Sequence, residues 1–432
     1  MIVTTLFVVF IALMVIGMPV GVALGVAGTL AIVLSNLDTQ WFGLLAVPQN
    51  FYAGLAKYPL LAIPMFVLVG SIFDRSGVAS RLVAFAISMV GRGPGMLPLV
   101  TIAVAMFLGG ISGSGPACAA AVGAVMIGAM NRAGYPASFS ASVVAAGAAT
   151  DILIPPSIAF IVYSILVPQA SVPALFAAGM VPGILAGIAL IVPAVWMSRR
   201  HNMGQLERSL PRPPFWASLR EAAWGLIAPV LILGGMRMGF FTPTEAAVVA
   251  VFYGLFVGMA VHRTIKFRDL FPILREAAEL SAVIMLVVTL AGIFAWALST
   301  LSVIDPITHA IVNSGLGEYG VLTLLIVLLM TLGMFLDGIS IFLIFVPLLL
   351  PIANAYGWDP VWFGVLLTLK VALGQFTPPL AVNLMVSCRI ARVPMESTVR
   401  WVVWLLVSMF LVLVLVIVFP ELALWLPRYL GF

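Results

Sequence analysis

Charged residues are scarce in this chain: they make up 8% of 432 residues, against about 25% in an ordinary soluble protein. Apolar residues make up 63%, and the mean hydropathy is +1.23. A water-soluble fold cannot bury that much apolar surface, so the composition excludes a soluble globular protein. Successive apolar stretches of roughly 16–25 residues have the length that an α-helix needs to cross a bilayer. The sequence predicts an all-α, multi-pass membrane protein.

Several catalytic and metal-binding signatures are missing. The sequence contains no GxxxxGK[ST] loop and no HExxH motif, which argues against a nucleotide-driven pump and against a zinc protease. His201, His262 and His309 lie in or beside loops without metal-ligand spacing. Cys118 and Cys388 lie in apolar helical stretches, which favours buried thiols over a structural disulfide. We therefore expect no enzyme and no cofactor.

Apolar segments and prolines predict ten membrane spans and two re-entrant hairpins. The spans are 3–17, 18–35, 57–74, 137–168, 172–197, 222–239, 243–262, 279–299, 361–388 and 400–420, and the hairpins are 95–131 and 317–354. With each hairpin returning to the side that it left, sixteen of the twenty Lys and Arg side chains fall on one face. The positive-inside rule assigns that face to the cytoplasm. A single tilted helix over 1–34 is the alternative for the start of the chain.

The order of these segments repeats at a nearly constant spacing. The numbering offset is 224 between Pro19 and Pro243, 224 between Ser114 and Gly338, and 223 between Pro155 and Pro378. This offset predicts two repeats, 1–197 and 222–432, joined by a polar cytoplasmic linker at 198–221. Because the first repeat has five complete crossings, the second must be inverted.

Each repeat contains a hairpin tip and a proline-broken helix. The first tip is Ser112-Gly113-Ser114-Gly115-Pro116, and the first break, within 137–168, is Pro155-Pro156 followed by Ser157. Adjacent prolines lack backbone donors and free the carbonyls one turn earlier. Irregular backbone at membrane depth survives only where protein, water or an ion satisfies it, so carbonyls and hydroxyls here could enclose a cation.

The second repeat has a matching tip and break. The tip is Leu336-Asp337-Gly338-Ile339-Ser340, and the break, within 361–388, is Gly374-Gln375-Phe376-Thr377-Pro378-Pro379. Sodium prefers oxygen ligands of this kind, and helices that begin just beyond the breaks present positive dipole ends to a carboxylate. The sequence therefore predicts a central substrate and cation site of a secondary transporter. An ion or solute channel built from re-entrant loops is the alternative.

At these residues the sequence resembles the large membrane subunit of the tripartite ATP-independent periplasmic (TRAP) transporters. The matching stretches are LAIPMFVLVG (Leu61–Gly70), ISGSG (Ile111–Gly115), GYPASFSASV (Gly134–Val143), ILIPPSI (Ile152–Ile158), LFAAGMVPG (Leu175–Gly183), GFFTPTEAA (Gly239–Ala247) and GQFTPP (Gly374–Pro379). The resemblance implies a sodium-coupled elevator importer in the bacterial inner membrane. It also implies a small four-helix membrane subunit, a periplasmic substrate-binding protein, and an organic-acid substrate, with C4-dicarboxylate as the default.

The resemblance also implies site residues. The sodium sites would comprise Ser112, Ser114, Pro155 and Ser157 in the first repeat, and Asp337, Gly338, Gly374 and Thr377 in the second. Substrate would lie between them, with Ser114, Asp151, Ser157, Lys370, Thr377 and Asn383 as the contacts.

Two of these residues depart from the family pattern, because Asp151 stands where a small residue is expected and Lys370 where an uncharged one is usual. A lone charge at the bilayer centre costs at least about 2.5–3.5 kcal/mol, which favours an opposite partner. We consider direct pairing of the two, separate roles for Asp151 at a cation and Lys370 at a substrate carboxylate, or independent exposure to a wet vestibule. Glu245, two positions after Pro243, is expected to cap a helix N-terminus.

Overall fold

Helices account for the regular secondary structure of this computed structural model throughout the residues that it describes, 2–36, 40–91, 93–209, 212–334, 336 and 338–432. The predicted all-α class is confirmed, and within those ranges there is no β-strand. The first half contains α1 (Ile2–Val15), α2 (Val20–Ser35), α3 (Gln40–Leu55), α4 (Ala62–Arg75), α5 (Val78–Met89), α6 (Met96–Ser112), α7 (Gly115–Arg132), α8 (Ala137–Ala149), α9 (Ile158–Leu166) and α10 (Val172–Arg200).

The second half is also helical throughout its described residues. It contains α11 (Phe215–Arg237), α12 (Pro243–Phe256), α13 (Leu270–Thr300), α14 (Ile304–Val312), α15 (Gly317–Gly333), α16 (Gly338–Ala355), α17 (Pro360–Gly374), α18 (Val382–Ala391), α19 (Val399–Val418) and α20 (Glu421–Leu430). Glu245 caps α12 in a capping box with Thr242, as the sequence predicts.

The start of the chain forms two helices, so the single tilted helix considered for 1–34 is wrong. Gly17, between α1 and α2, has a φ of +89°, a left-handed conformation that glycine adopts without strain. The predicted linker also differs from the structure, since α10 continues to Arg200 and α11 begins at Phe215. Helix α3 was not predicted, because Pro48 and several polar residues interrupt its apolar pattern.

Seven helical stretches among the described residues are long and apolar enough to cross a membrane. They are 58–75, 172–200, 215–237, 243–261, 267–300, 338–355 and 395–418. The predicted spans 137–168 and 361–388 are missing from this set because each consists of two shorter helices separated by its proline break. The first helix of each segment is nevertheless deeply buried, since every residue of α8 from Ser138 to Ala149 and of α17 from Trp362 to Gly374 is buried within the protein.

Glycines allow the helix ends to approach one another at the centre. Gly113, in the turn between α6 and α7, has a φ of +63°, and a Cβ there would lie 2.8 Å from the Pro156 carbonyl oxygen. A Cβ on Gly374 would lie 2.9 Å from the carbonyl oxygen of Gly333. We call the connections between α6 and α7 and between α15 and α16 the first and second helix-pair turns. These backbone contacts pack the end of α6 against the break between α8 and α9, and the end of α15 against the break between α17 and α18.

Candidate functional site

A cavity of about 300 Å³ lies where the two helix-pair turns meet the two proline breaks. The turns contribute Ser114 and Gly338, and the breaks contribute Ile152 and Gln375. Helix α13 closes another side with four apolar side chains, Leu280, Val283, Ile284 and Val287. The cavity thus joins segments from both halves that lie far apart in the sequence.

Four helices begin at this cavity. Its lining includes the first residues of α7, α9, α16 and α18, namely Gly115, Ile158, Gly338 and Val382. The first turn of a helix has backbone N–H groups without intrahelical acceptors and carries a partial positive charge. Four such ends around one cavity favour a bound anion.

Two helices end at the same cavity. Gly333, the last residue of α15, and Gly374, the last of α17, both line it. Helix C-termini present carbonyl oxygens and a partial negative charge, which favours a cation. The cavity therefore combines groups suited to an anion with groups suited to an oxygen-coordinated cation such as sodium.

Gln375 lines the cavity beneath the first turn, and Asn383 lies buried beside it. The Asn383 backbone N–H donates to the Gln375 carbonyl oxygen at 3.0 Å, and its Nδ2 donates to Gln375 Oε1 at 3.1 Å. A Cβ on Gly115 would overlap the Gln375 side chain and lie 2.9 Å from that of Asn383. Asn383 is buried, and its Oδ1 has no hydrogen-bond partner among the described residues.

Asn383 is among the predicted substrate contacts, whereas Gln375 is not. The signal for Gln375 was available, because it is an amide side chain inside the second proline break.

The predicted hydroxyl ligands Ser157 and Thr377 are buried just behind the cavity wall. Ser157 Oγ donates to the Ile152 carbonyl oxygen and Thr377 Oγ1 donates to the Leu373 carbonyl oxygen, both at 2.6 Å. Each hydroxyl has donated its hydrogen and keeps a lone pair for a cation. Ser114 lines the cavity directly as the N-cap residue of α7, and its side chain makes no capping bond.

The carbonyl oxygen of Pro155, another predicted ligand, faces Gly110 of α6, since a Cβ on that glycine would lie 3.3 Å from it. Ser112 ends α6, but its side chain lies outside the described part of the structure, and Asp337 lies outside it altogether.

Asp151 and Lys370 are both completely buried. Within the described ranges neither side chain makes a hydrogen bond or an ion pair, so the two do not pair with each other in this structure. The backbone N–H groups of Gly113 and Ser114 face the Asp151 carboxyl without reaching hydrogen-bond geometry. Neither side chain is exposed to a water-filled vestibule, because both are fully buried and neither lines the cavity.

The chain matches a known family over nearly its whole length. Residues 7–422 fit the sequence profile described as "Tripartite ATP-independent periplasmic transporter, DctM component". The chain belongs to this family. The DctM-family permease is thus a transporter component, in agreement with the prediction that it is not an enzyme.

Three curated relatives show how similar the permease is to named transporters. It is 35% identical to the C4-dicarboxylate TRAP transporter large permease protein DctM of Rhodobacter capsulatus, over 99% of both chains. It is 36% identical to the sialic acid TRAP transporter large permease protein SiaM of Vibrio cholerae, over 96% of both. It is 36% identical to the isethionate TRAP transporter permease protein DctMQ of Oleidesulfovibrio alaskensis, over 96% of this chain and 65% of that protein.

A solved structure shares the fold. The YdaH transporter of Alcanivorax borkumensis, whose crystal structure is described as having an unusual topology, aligns with a TM-score of 0.55. The alignment covers 91% of this chain and 89% of that chain at 14% identity. At that identity the likeness concerns the fold alone.

Proposed function

We propose that this permease imports a small organic acid across the bacterial inner membrane, driven by sodium. A periplasmic binding protein would deliver the substrate, and a small four-helix membrane subunit would complete the permease. The observation that carries the proposal is the convergence of four helix N-termini on one cavity. Charge interactions at a helix end contribute about 0.3–1 kcal/mol each, and more where water is excluded, so four ends favour a carboxylate strongly.

The size of the cavity supports a small substrate. About 300 Å³ lies at the lower end of the range for ligand pockets, roughly 300–1,000 Å³. The relatives are named for C4-dicarboxylate, sialic acid and isethionate, all of which are organic acids. C4-dicarboxylate is our default, with Ser114 and Asn383 as substrate contacts. Sialic or other sugar acids and small zwitterions are the next candidates.

Each of the two helix-pair turns offers a candidate set of sodium ligands behind the substrate. In the first half, Ser112, Ser114, Ser157 and the Pro155 carbonyl are the proposed ligands. In the second half, Gly338, Gly374 and Thr377 are proposed together with Asp337. Carbonyl and hydroxyl oxygens suit a hard monovalent cation, and the C-terminal ends of α15 and α17 add partial negative charge.

An elevator movement would carry the site across the membrane. The moving body would comprise α6–α9 and α15–α18, which hold the turns and breaks, and the scaffold would include α13. The four α13 residues at the cavity are apolar, so this boundary can slide without breaking side-chain hydrogen bonds. We interpret 1–197 and 222–432 as two inverted repeats, each of which contributes helices to the moving body and to the scaffold.

Reconstituted uptake tests the proposal. The permease and its small subunit are placed in proteoliposomes, and radiolabelled succinate is supplied with or without the binding protein and with inward sodium or potassium. We expect uptake only when the binding protein and a sodium gradient are both present. Flux that needs neither would reject the proposal and favour the channel alternative. Competition by sialic acid, isethionate and taurine then defines the substrate class.

A further inference from the structure

Asp151 and Gly374 occupy corresponding places in the two halves. Gly109 of α6 touches Asp151 so closely that a Cβ on the glycine would lie 2.7 Å from the Asp151 Cα. Gly333 of α15 touches Gly374 similarly closely, since a Cβ on Gly374 would lie 2.9 Å from the Gly333 carbonyl oxygen. The numbering offset is 224 between Gly109 and Gly333 and 223 between Asp151 and Gly374. We call these contacts the first and second junctions.

The first junction has an acidic side chain and the second has a basic one. Asp151 is itself part of the first junction. Lys370 lies one helical turn before Gly374, and its Nζ packs so tightly against Gly333 that a Cβ there would overlap it. The position that corresponds to Lys370 in the first half is Gly147, which has no side chain and packs against Ile102. The first junction thus carries a carboxyl and the second an amine.

The surroundings of the Lys370 amine resemble a site for a free cation. Helices α15 and α17 both end at the second junction, and helix C-termini carry partial negative charge. In the described part of the chain no carboxylate pairs with Nζ and no atom accepts a hydrogen bond from it. Nζ packs against Gly333, which lines the cavity, but Lys370 itself does not line it, so the amine lies away from a bound substrate.

We propose that the Lys370 ammonium is a tethered cation that replaces a sodium ion at the second junction, so that this permease binds sodium at the Asp151 junction alone. The proposal rests on the sodium coupling proposed above and, of the two candidate ligand sets given there, assigns sodium only to the set in the first half. At the first junction the Asp151 carboxylate strengthens the attraction for sodium. At the second junction, sodium and the ammonium would compete for the same helix ends, and the tethered group occupies them permanently.

Direct sodium binding tests this proposal without transport or partner proteins. Radioactive sodium is titrated against the purified full-length chain in detergent, and the ions bound per chain are counted at saturation. We expect a single sodium on the wild type and a doubling in Lys370→Gln, which removes the charge but keeps a polar group of similar length. Lys370→Arg should stay at a single sodium. Asp151→Asn should lose the sodium that the wild type binds.

A matched control and a second measurement keep the outcomes distinct. Lys57→Gln removes an amine that donates to the Ile165 carbonyl oxygen at 3.2 Å, away from both junctions, and should leave the count unchanged. Two sodium ions on the wild type would overturn the tethered cation while leaving sodium coupling intact, and this result needs no variant to fold. Equal counts in wild type and folded Lys370→Gln would also overturn it. A wild type that binds no sodium would overturn both proposals.

Discussion

Asn383 and Gln375 form two hydrogen bonds with each other across the break between α17 and α18, through backbone groups at 3.0 Å and through side chains at 3.1 Å. This pair of bonds holds both amides against the first helix-pair turn, where Gly115 packs on them. Because these residues belong to the second half and the turn to the first, this contact joins the two halves of the site.

Asn383→Ala should impair uptake while leaving the protein folded. The substitution removes one hydrogen bond to Gln375 and the Oδ1 atom that has no partner in the described structure. We expect uptake at low substrate concentration to fall about tenfold, which corresponds to about 1.4 kcal/mol. Asn354→Ala, at an exposed position of α16, is the matched control. Equal uptake by both variants would contradict a substrate role for Asn383.

Gly333→Ala should destabilise the protein, although alanine normally stabilises a helix relative to glycine. A Cβ at Gly333 would overlap Lys370 Nζ, and because Lys370 is completely buried its side chain has little room to move aside. Overpacking of a tight core costs about 1–3 kcal/mol. Gly292→Ala is the control, since its Cβ would meet nothing within 4 Å. Thermal unfolding in detergent measures both. Addition of Lys370→Ala should restore stability to Gly333→Ala, and a double variant no more stable than the single one would refute the overlap as the cause.

Glu207 anchors the segment between α10 and α11 to the base of the first helix pair. Its carboxyl accepts hydrogen bonds from the Leu97 N–H and, at 3.3 Å, from the Tyr135 hydroxyl, whose oxygen accepts from the Gly95 N–H at 2.7 Å. Glu207→Ala would leave two buried donors unpaired, and we expect a loss of about 1–3 kcal/mol in unfolding free energy. Gln205→Ala, on the same loop but exposed, should have little effect.

Glu207 should also make stability depend on pH. Burial raises the pKa of its carboxyl above the usual 4.5, although the Leu97 N–H opposes this shift. An acid whose pKa is raised by folding contributes stability at low pH that is lost as the pH rises through the folded-state pKa. Relative to Glu207→Gln, which cannot ionise, the wild type should therefore lose stability as the pH rises above about 4.5. A stability difference between the wild type and Glu207→Gln that stays the same at every pH would contradict the raised pKa.

Thr242→Ala should lower stability without changing transport. Thr242 Oγ1 accepts from the Glu245 N–H at 3.4 Å, and the Glu245 carboxylate accepts from the Thr242 N–H at 2.8 Å. Loss of an N-cap side chain typically costs about 1 kcal/mol. Thr242→Ser should retain the cap. Uptake per folded protein should match the wild type, and a selective loss of uptake would show that this helix start belongs to the transport site.

Much of this architecture could be predicted from local chemistry. Proline removes a backbone donor wherever it stands, so the breaks near Pro155 and Pro378 follow from the sequence, as does the capping by Glu245. The unpredicted α3 and α20 show the limit of this reasoning. Helix α20 carries Glu421, Arg428 and an internal proline, and its amphipathic pattern is that of a helix at a surface rather than a span.

The sequence by itself determined the membrane environment, the helical class, the family and the positions of the breaks, because composition, chain length per span and proline chemistry are local properties. Only the tertiary structure decided that four helix N-termini meet at one cavity, that Gln375 lies beside Asn383, and that Asp151 and Lys370 are buried without pairing. Those facts depend on which helix ends touch. Such contacts bring together parts of the chain that are distant in sequence through glycine-sized gaps, and no local pattern encodes them.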